Sequence, residues 1–199
     1  AVSSYSENIG QFNQELNFIV RLAEKHWVRL SAGRNYFDGW SPDDNFLPDF
    51  SQQFADSGRV QQWNPKEQYY ARINYNFKLN DILLGYKGEI FDGTITNYGF
   101  PERSTRSFIA FDDYYHTRRI DNAVFAKGSL NKYWNVDFTA AYNDFERIKE
   151  ARRKDLVTLI DSKIQETEGN DVQDTSTFNL WMSRGSISFT PDSSWYNFE

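Results

Sequence analysis

The feature that most constrains the fold is a two-residue alternation of apolar and polar side chains. It is cleanest from Gln68 to Leu79, where every odd position is apolar and most even positions are amides or cations. Successive side chains of a β-strand point to opposite faces of the sheet, whereas an α-helix repeats every 3.6 residues. Globular strands average about five or six residues, and this run is about twice as long. The stretch therefore predicts a long β-strand with one apolar face.

The same alternation recurs along most of the chain. Phe12–Leu22 has one apolar face with a polar exception at Gln14, and Val28–Ala32 follows it after a short break. Further alternating stretches are Ile82–Ile90, Ile120–Leu130, Trp134–Tyr142, Trp181–Phe189 and Trp195–Glu199. No stretch reaches the roughly 18 consecutive apolar residues that a membrane-spanning helix needs. The pattern indicates an all-β chain.

The connections between these stretches are of two kinds, which alternate strictly. Residues 23–26, 80–81, 131–133 and 190–194 form short turns, whereas 38–67, 92–117 and 146–176 are long and polar. An antiparallel meander with every short turn at one end and every long loop at the other is typical of membrane barrels. The predicted fold is all-β: a partial antiparallel up-and-down transmembrane β-barrel, with about seven to eight strands of a larger barrel.

Aromatic residues make up 18% of the chain. This is about twice the share expected of an ordinary globular domain. Many of them fall where the strands would cross the membrane interfaces: Tyr36, Phe37, Trp40, Tyr69, Tyr70, Phe91, Tyr114, Tyr115, Tyr133, Trp134, Tyr142 and Phe145. Girdles of aromatic rings at both interfaces account for such an excess.

Several classes of function find no support in the residues. A net charge of −6 offers no basic surface to nucleic acid. The chain has no cysteine, and its two histidines, His26 and His116, stand in no metal-ligand motif. A nucleophile turn and a glycine-rich phosphate loop are also missing from the sequence. We therefore expect neither an enzyme nor a nucleic-acid partner.

Other interpretations stay open at this level. A soluble carbohydrate-binding β-sandwich would also alternate, and it would bury in one closed core such residues as Phe18, Ile73, Leu84 and Val136. A plug-less porin or a barrel that anchors surface partners would have the same wall. The segment Glu146–Glu168 fits an extension of its hairpin and equally a helix with an apolar face of Leu156, Leu159, Ile160 and Ile164.

Four stretches resemble the barrel domain of TonB-dependent outer-membrane receptors. Tyr5–Asn13 looks like the first strand after the plug, in which an aromatic and a small residue precede a glycine, here Gly10. Gly33–Trp40 is similar to a strand end of the cobalamin and siderophore receptors. Ala110–Tyr115, running on through Arg118–Asn122, and Arg152–Leu159 look like receptors of the Bacteroidetes type.

The resemblance covers most of the chain and implies a function that the residues alone do not. Such receptors are barrels of about 22 strands filled by an N-terminal plug. Residues 1–199 would then be part of the barrel domain, with the plug absent. The implied function is TonB-powered uptake, at the cell outer membrane, of a scarce nutrient such as an iron complex, a haem or a corrinoid. The implied partners are membrane lipid and lipopolysaccharide, the nutrient, a surface lipoprotein, and the TonB complex acting through the plug.

The polar faces of the strands would line the barrel interior. Their residues mix both signs of charge with amides: Glu15, Asn17, Arg21, Arg72, Asn74, Asn76, Lys87, Glu89, Arg119, Asp121, Lys127, Asp137 and Asn143. Such a wall suits a plug that must be released, and it suits a water-filled lumen equally well. The family resemblance favours the plug.

The long connections hold the candidate binding residues. Aromatic rings there would stack on a planar substrate or pack the loops against themselves: Trp40, Phe46, Phe50, Trp63, Tyr114 and Tyr115. Clustered carboxylates suit calcium, and the alternative is a solvated acidic loop: Asp38, Asp43, Asp44, Asp112 and Asp113. A basic run would meet lipopolysaccharide phosphates or simply face solvent: Lys149, Arg152, Arg153 and Lys154.

Overall fold

The computed structural model describes residues 2–6, 10–40, 55–56, 59, 62–164 and 173–190, the first of these ranges by its backbone. Within these ranges the secondary structure is one antiparallel sheet without helix. The strands are β1 Val2–Ser6, β2 Gln11–Ala23, β3 His26–Phe37, β4 Lys66–Leu79, β5 Ile82–Asn97, β6 Glu102–Arg103, β7 Phe108–Ser129, β8 Trp134–Asp155, β9 Asp161–Lys163 and β10 Gln173–Phe189. In the part of the chain so described, no helix is long and apolar enough to cross a membrane.

The sheet is a meander in which each long strand pairs with the next long strand along the chain. Its order is β1-β2-β3-β4-β5-β7-β8-β10, with β6 added to β7 and β9 added to β8, and the sheet does not close on itself. The predicted short turns at 23–26, 80–81 and 131–133 are confirmed. Asn80 has a φ of 53°, a left-handed conformation that asparagine tolerates well in two-residue hairpins. The turn at 190–194 and the strand from Trp195 lie outside the described residues.

Two of the long connections are shorter than the sequence predicts. β5 continues to Asn97 and β7 begins at Phe108, so most of 92–117 is strand; β8 likewise runs to Asp155, well into 146–176. At these strand ends neither face is consistently apolar, so the backbone hydrogen bonding continues where the alternation has stopped. Of the two interpretations of Glu146–Glu168, the extended hairpin is confirmed as far as the structure describes that segment.

Cross-strand register assigns every side chain to one of two faces, because directly opposed residues share a face. Val20 pairs with Val28, Val28 with Tyr75, and Tyr75 with Tyr86. The same ladder continues through Val124 and Ala140 on β7 and β8. We call the apolar residues of this face, from the short turns to the level of Leu16, Ile90 and Ile120, the apolar band. The edge with the short turns is the turn edge, and the opposite edge is the loop edge.

The described part of the chain has almost no hydrophobic core. Its buried apolar side chains are Ala110, Ala151 and Leu156, which lie near the loop edge. Phe18 is 54% exposed and Ile73 is 37% exposed, although a β-sandwich would bury both. Among the described residues there is one sheet and no second layer to cover these side chains. The closed core expected of a sandwich is therefore missing from this part of the molecule.

Glycines on the opposite face make room for aromatic rings. Gly33 lies directly across from Tyr70, and Gly85 lies directly across from Phe125. A Cβ added at either glycine would overlap the ring of its partner. Each ring thus lies flat along the sheet, where it covers backbone that a glycine leaves bare.

Candidate functional site

The face opposite the apolar band carries a continuous chain of ion pairs. The Arg72 Nε lies 2.5 Å from Glu89 Oε2, and the Arg119 Nη2 lies 2.7 Å from Glu89 Oε1. The Arg119 Nε lies 2.7 Å from Asp121 Oδ2, and Asn143 donates a hydrogen bond to Asp121. We call these five residues the charge ladder. It joins β4, β5, β7 and β8 and balances two cations with two anions.

The predicted interior residues share this face in the structure. Register pairs Arg72 with Glu89, Glu89 with Asp121, and Asp121 with Asn143. The remaining members occupy the same face: Glu15, Asn17, Arg21, Asn74, Asn76, Lys87, Lys127 and Asp137. A groove of about 390 Å³ runs over the ladder and is bordered on the β10 side by Leu180 and Met182. The centre of the polar face is thus a set of paired charges.

The apolar band ends abruptly at a row of charged and phenolic side chains on its loop-edge side. The Arg34 Nη2 lies 2.5 Å from Glu67 Oε1, and the Tyr69 hydroxyl donates to the same oxygen at 2.5 Å. The Arg34 guanidinium also lies 5.1 Å from the ring centre of Tyr36 and 5.7 Å from that of Tyr69. Hydrogen bonds from Tyr69 and Arg34 lower the pKa of Glu67. This charged rim continues across the sheet through Asp92, Arg118 and Glu146.

Two of the predicted substrate-binding aromatics come together. The rings of Trp40 and Trp63 lie 4.8 Å apart, and each backbone N–H donates to the carbonyl of the other residue, at 3.1 Å and 2.9 Å. They join the two ends of the first long connection. Phe46 and Phe50 lie outside the described residues.

The other two predicted aromatics are separated by the strand itself. Tyr114 and Tyr115 are neighbours on β7, so they point to opposite faces of the sheet. Arg152 lies 5.4 Å from the ring centre of Tyr114, and Arg147 lies 4.8 Å from that of Tyr115. Burial raises the pKa of Tyr114. These two rings form no shared stacking surface.

The predicted calcium ligands that the structure describes also lie apart from one another. Asp38 accepts a hydrogen bond from the Tyr36 hydroxyl at 3.0 Å. Asp112 and Asp113 face opposite sides of β7, and Asp113 pairs with Lys149 at 3.2 Å. The described residues contain no group of three or more side chains arranged to hold a metal ion. Asp43 and Asp44 lie outside those residues, so calcium binding stays a prediction.

The basic run on β8 does not form one basic surface. Lys149 and Arg153 lie on one face of the strand, and Arg152 and Lys154 lie on the other. Arg152 pairs with Glu150 at 2.5 Å and with Asp161 at 3.0 Å. Lys149 and Lys154 are also paired with carboxylates, and the Arg153 residue is exposed. Contact with lipopolysaccharide phosphate stays a prediction, with Arg153 as its most accessible member.

The sequence pattern did not indicate one cluster of charged residues at the loop edge. Arg59 is 1% exposed, and its guanidinium contacts Asp56 and Asp112, which is itself fully buried. Asp112 lies 53 positions further along the chain. An aspartate three residues before an arginine is too common a pattern to reveal such a pair. The signal that was available is the position of Asp112 at a strand end, where polar side chains meet the connections.

Comparison with known proteins does not identify the chain: no family description, no curated protein and no solved structure matches it. The inference about function therefore depends on the fold and on the two faces of the sheet.

Proposed function

We propose that the chain is part of the wall of a transmembrane β-barrel in the outer membrane. The barrel is that of a TonB-dependent receptor, which imports a scarce nutrient such as an iron complex, a haem or a corrinoid. One observation carries the membrane part of the proposal. A single-layer sheet exposes an apolar band on one face and, on the other, a polar surface crossed by the charge ladder.

The dimensions of the apolar band fit a lipid bilayer. It spans about nine residues of the longer strands, for instance Ile82–Ile90, which is about 30 Å along a strand at roughly 3.3 Å per residue. Strands of membrane barrels tilt by about 40°, so the band would be about 23 Å tall, close to the usual ~25 Å. On β2 to β7 no Asp, Glu, Lys or Arg occurs at the levels of the band, and the charged rim begins at the next row; on β8 charge begins one row earlier, at Asp144 opposite Ile120.

Exposure of the band to water would be unfavourable. Phe18 is 54% exposed, Leu30 45% and Val124 51%, and many further residues of this face are similarly uncovered. Apolar surface left in water costs roughly 25 cal/mol per Å², so a sheet of this extent needs a cover. Hydrocarbon chains of a membrane supply one without requiring a second layer of protein.

Aromatic side chains mark both borders of the band. At the loop-edge border Tyr36 and Tyr69 flank Arg34. At the turn edge the Trp134 ring lies 4.9 Å from that of Phe189, and Tyr133 lies 6.2 Å from the same ring. Amphipathic rings favour the level of lipid headgroups, which supports an interface at each border.

The polar face suits the interior of a barrel. Because the charge ladder is neutral as a whole, a plug domain or water would contact it without meeting a strong field of one sign. The receptor identity rests on the resemblance of Tyr5–Asn13, Gly33–Trp40 and the other quoted stretches. The proposed partners are membrane lipid and lipopolysaccharide, the nutrient, a surface lipoprotein, and the TonB complex through the plug.

Two neighbouring substitutions on β4 test the membrane wall. Ile73 belongs to the apolar band and Asn74 to the polar face. We expect Ile73→Arg to abolish recovery of folded protein from outer-membrane fractions, because an arginine at mid-bilayer costs about 2–4 kcal/mol on a lipid-facing strand. Asn74→Arg, the matched control, should assemble normally. Equal recovery of both variants would contradict the proposal.

Transport experiments separate the receptor from a plug-less porin, which would have the same wall. Uptake of a bound nutrient by cells carrying the protein should stop when the proton-motive force is dissipated. Uptake that continues unchanged would indicate passive diffusion and would reject the receptor while leaving the membrane wall in place.

A further inference from the structure

We infer that Arg59 is a built-in counter-cation that anchors the first long connection to the loop-edge ends of β7 and β8. This goes beyond the proposed function and does not depend on it. The Arg59 Nη1 lies 2.6 Å from Asp56 Oδ2, and its Nη2 contacts Asp112 Oδ1. Its Nε donates to the Gly99 carbonyl at 3.3 Å. One guanidinium thus bonds its own segment and two further ones.

Both partners of the central pair are removed from water. The side chains of Arg59 and Asp112 are 0% and 1% exposed. The Gly99 N–H donates to Asp112 Oδ1 at 3.0 Å, and the Arg59 guanidinium lies 5.3 Å from the ring centre of Tyr98. The second oxygen of Asp112 is buried and has no hydrogen-bond partner among the described residues. Loss of the guanidinium would therefore leave a buried carboxylate poorly compensated.

A second set of contacts ties the same segment to the end of β8. The Lys154 Nζ lies 2.6 Å from Asp56 Oδ2, the oxygen that Arg59 also contacts. The Ala55 N–H donates to the carbonyl of Leu156 at 2.9 Å. Leu156 is fully buried and packs with Ala110 and Phe108. The anchor therefore joins balanced charges to the small apolar cluster at the loop edge.

The chemistry of this anchor makes a metal ion unnecessary. Two carboxylates and a carbonyl are the oxygen donors that calcium prefers, and Asp112 is one of the residues that the sequence suggested for calcium. In the structure a guanidinium occupies the point where those oxygens converge, with N–H donors directed at each. Arg59, a residue of the same chain, supplies the positive charge that a calcium ion would otherwise bring. The anchor should hold in the absence of divalent cations.

Trypsin provides a direct test, because it cleaves after arginine only where the side chain is accessible. In the full chain, cleavage after Arg59 should be at least ~100-fold slower than after Arg106, an exposed arginine in the connection between β6 and β7. Removal of a buried partner commonly costs several kcal/mol, so Asp112→Asn should accelerate cleavage after Arg59 by about 100-fold. Asp56→Asn should accelerate it by about tenfold.

The matched control is Asp113→Asn, which alters the neighbouring aspartate on the opposite face of β7. It should leave cleavage after Arg59 unchanged. Circular dichroism of each variant identifies any that lose the sheet, and Asp56→Asn, at the less buried partner, remains informative if Asp112→Asn does not fold. Rapid cleavage after Arg59 in the unmodified chain would overturn the inference. An Asp56→Asn variant as resistant as the control, or protection lost on adding a chelator, would also overturn it.

Discussion

The turn-edge half and the loop-edge half of the long strands differ in their side-chain pattern. Toward the turn edge, β7 and β8 alternate apolar and polar residues, and the apolar side chains stay uncovered. Toward the loop edge neither face of these two strands is consistently apolar, and ion pairs such as Lys149 with Asp113 join them. The few buried apolar side chains of the described residues are also found there. The backbone pairing of β7 with β8 therefore continues past the charged rim, where the side-chain pattern changes.

The largest expected effect comes from placing an arginine at either of two positions on the same face of β8. Phe138 and Ile148 both lie on the band face of β8, but Ile148 lies beyond the charged rim. Phe138→Arg should lower the free energy of unfolding in lipid vesicles by about 2–4 kcal/mol, since it puts a cation among lipid chains. Ile148→Arg, at 37% exposure, should change it by less than about 0.5 kcal/mol. Urea titration of both variants would measure the difference. Similar losses of unfolding free energy in the two variants would contradict the proposed border of the membrane between these positions.

A smaller effect is expected within the polar face, between its centre and its periphery. Glu89 accepts hydrogen bonds from both Arg72 and Arg119. Glu89→Gln removes the shared anion and should lower the free energy of unfolding by about 1–2 kcal/mol. Lys127 and Asp137 are 3.5 Å apart, with side chains 70% and 54% exposed, so Lys127→Gln should cost less than about 0.5 kcal/mol. A Glu89→Gln variant as stable as Lys127→Gln would mean that the charge ladder contributes no stability.

The smallest expected effect is the response of the loop edge to acid. Asp155 accepts hydrogen bonds from the Ser107 hydroxyl at 2.6 Å and from the Val157 and Thr158 N–H groups, which lowers its pKa to about 2. Because the folded pKa lies below the unfolded value, this contribution is complete above about pH 4 and is lost as pH falls toward 2. NMR titration should find the low pKa. Ser107→Ala should raise the pKa of Asp155, and no rise would contradict the assigned cause.

The turn-edge half could be predicted because local chemistry determines it. The alternation around Ile73 and the Asn80–Asp81 turn are local signals, so strands, turns and faces followed from neighbouring residues. The continuation of β7 through Asp113 could not be predicted, since a strand that is polar on both faces has no periodicity. For Trp40 and Trp63 the sequence left open whether the rings bind substrate or pack the loop against itself. In the structure the two rings contact each other, and substrate binding stays a prediction.

The candidate site was harder to predict than the sheet. The sequence places Arg72, Glu89 and Arg119 on polar faces, and the structure adds the register that makes them one ladder. Arg59 with Asp112 depends on a contact between distant segments, which no local pattern encodes. Calcium at Asp43 and Asp44 and lipopolysaccharide at Arg153 remain predictions, because they concern ligands.

Site-directed spin labelling tests the central claim most directly. The chain has no cysteine, so single labels can be placed at each position from Ala71 to Leu79 and from Asp144 to Arg152 in protein reconstituted into lipid vesicles. Oxygen, which concentrates in lipid, should reach labels with a two-residue period along Ala71–Leu79, with maxima at the odd positions. A polar nickel reagent should reach labels on both faces of Asp144–Arg152. Equal access of the nickel reagent to both faces of Ala71–Leu79 would contradict a membrane wall.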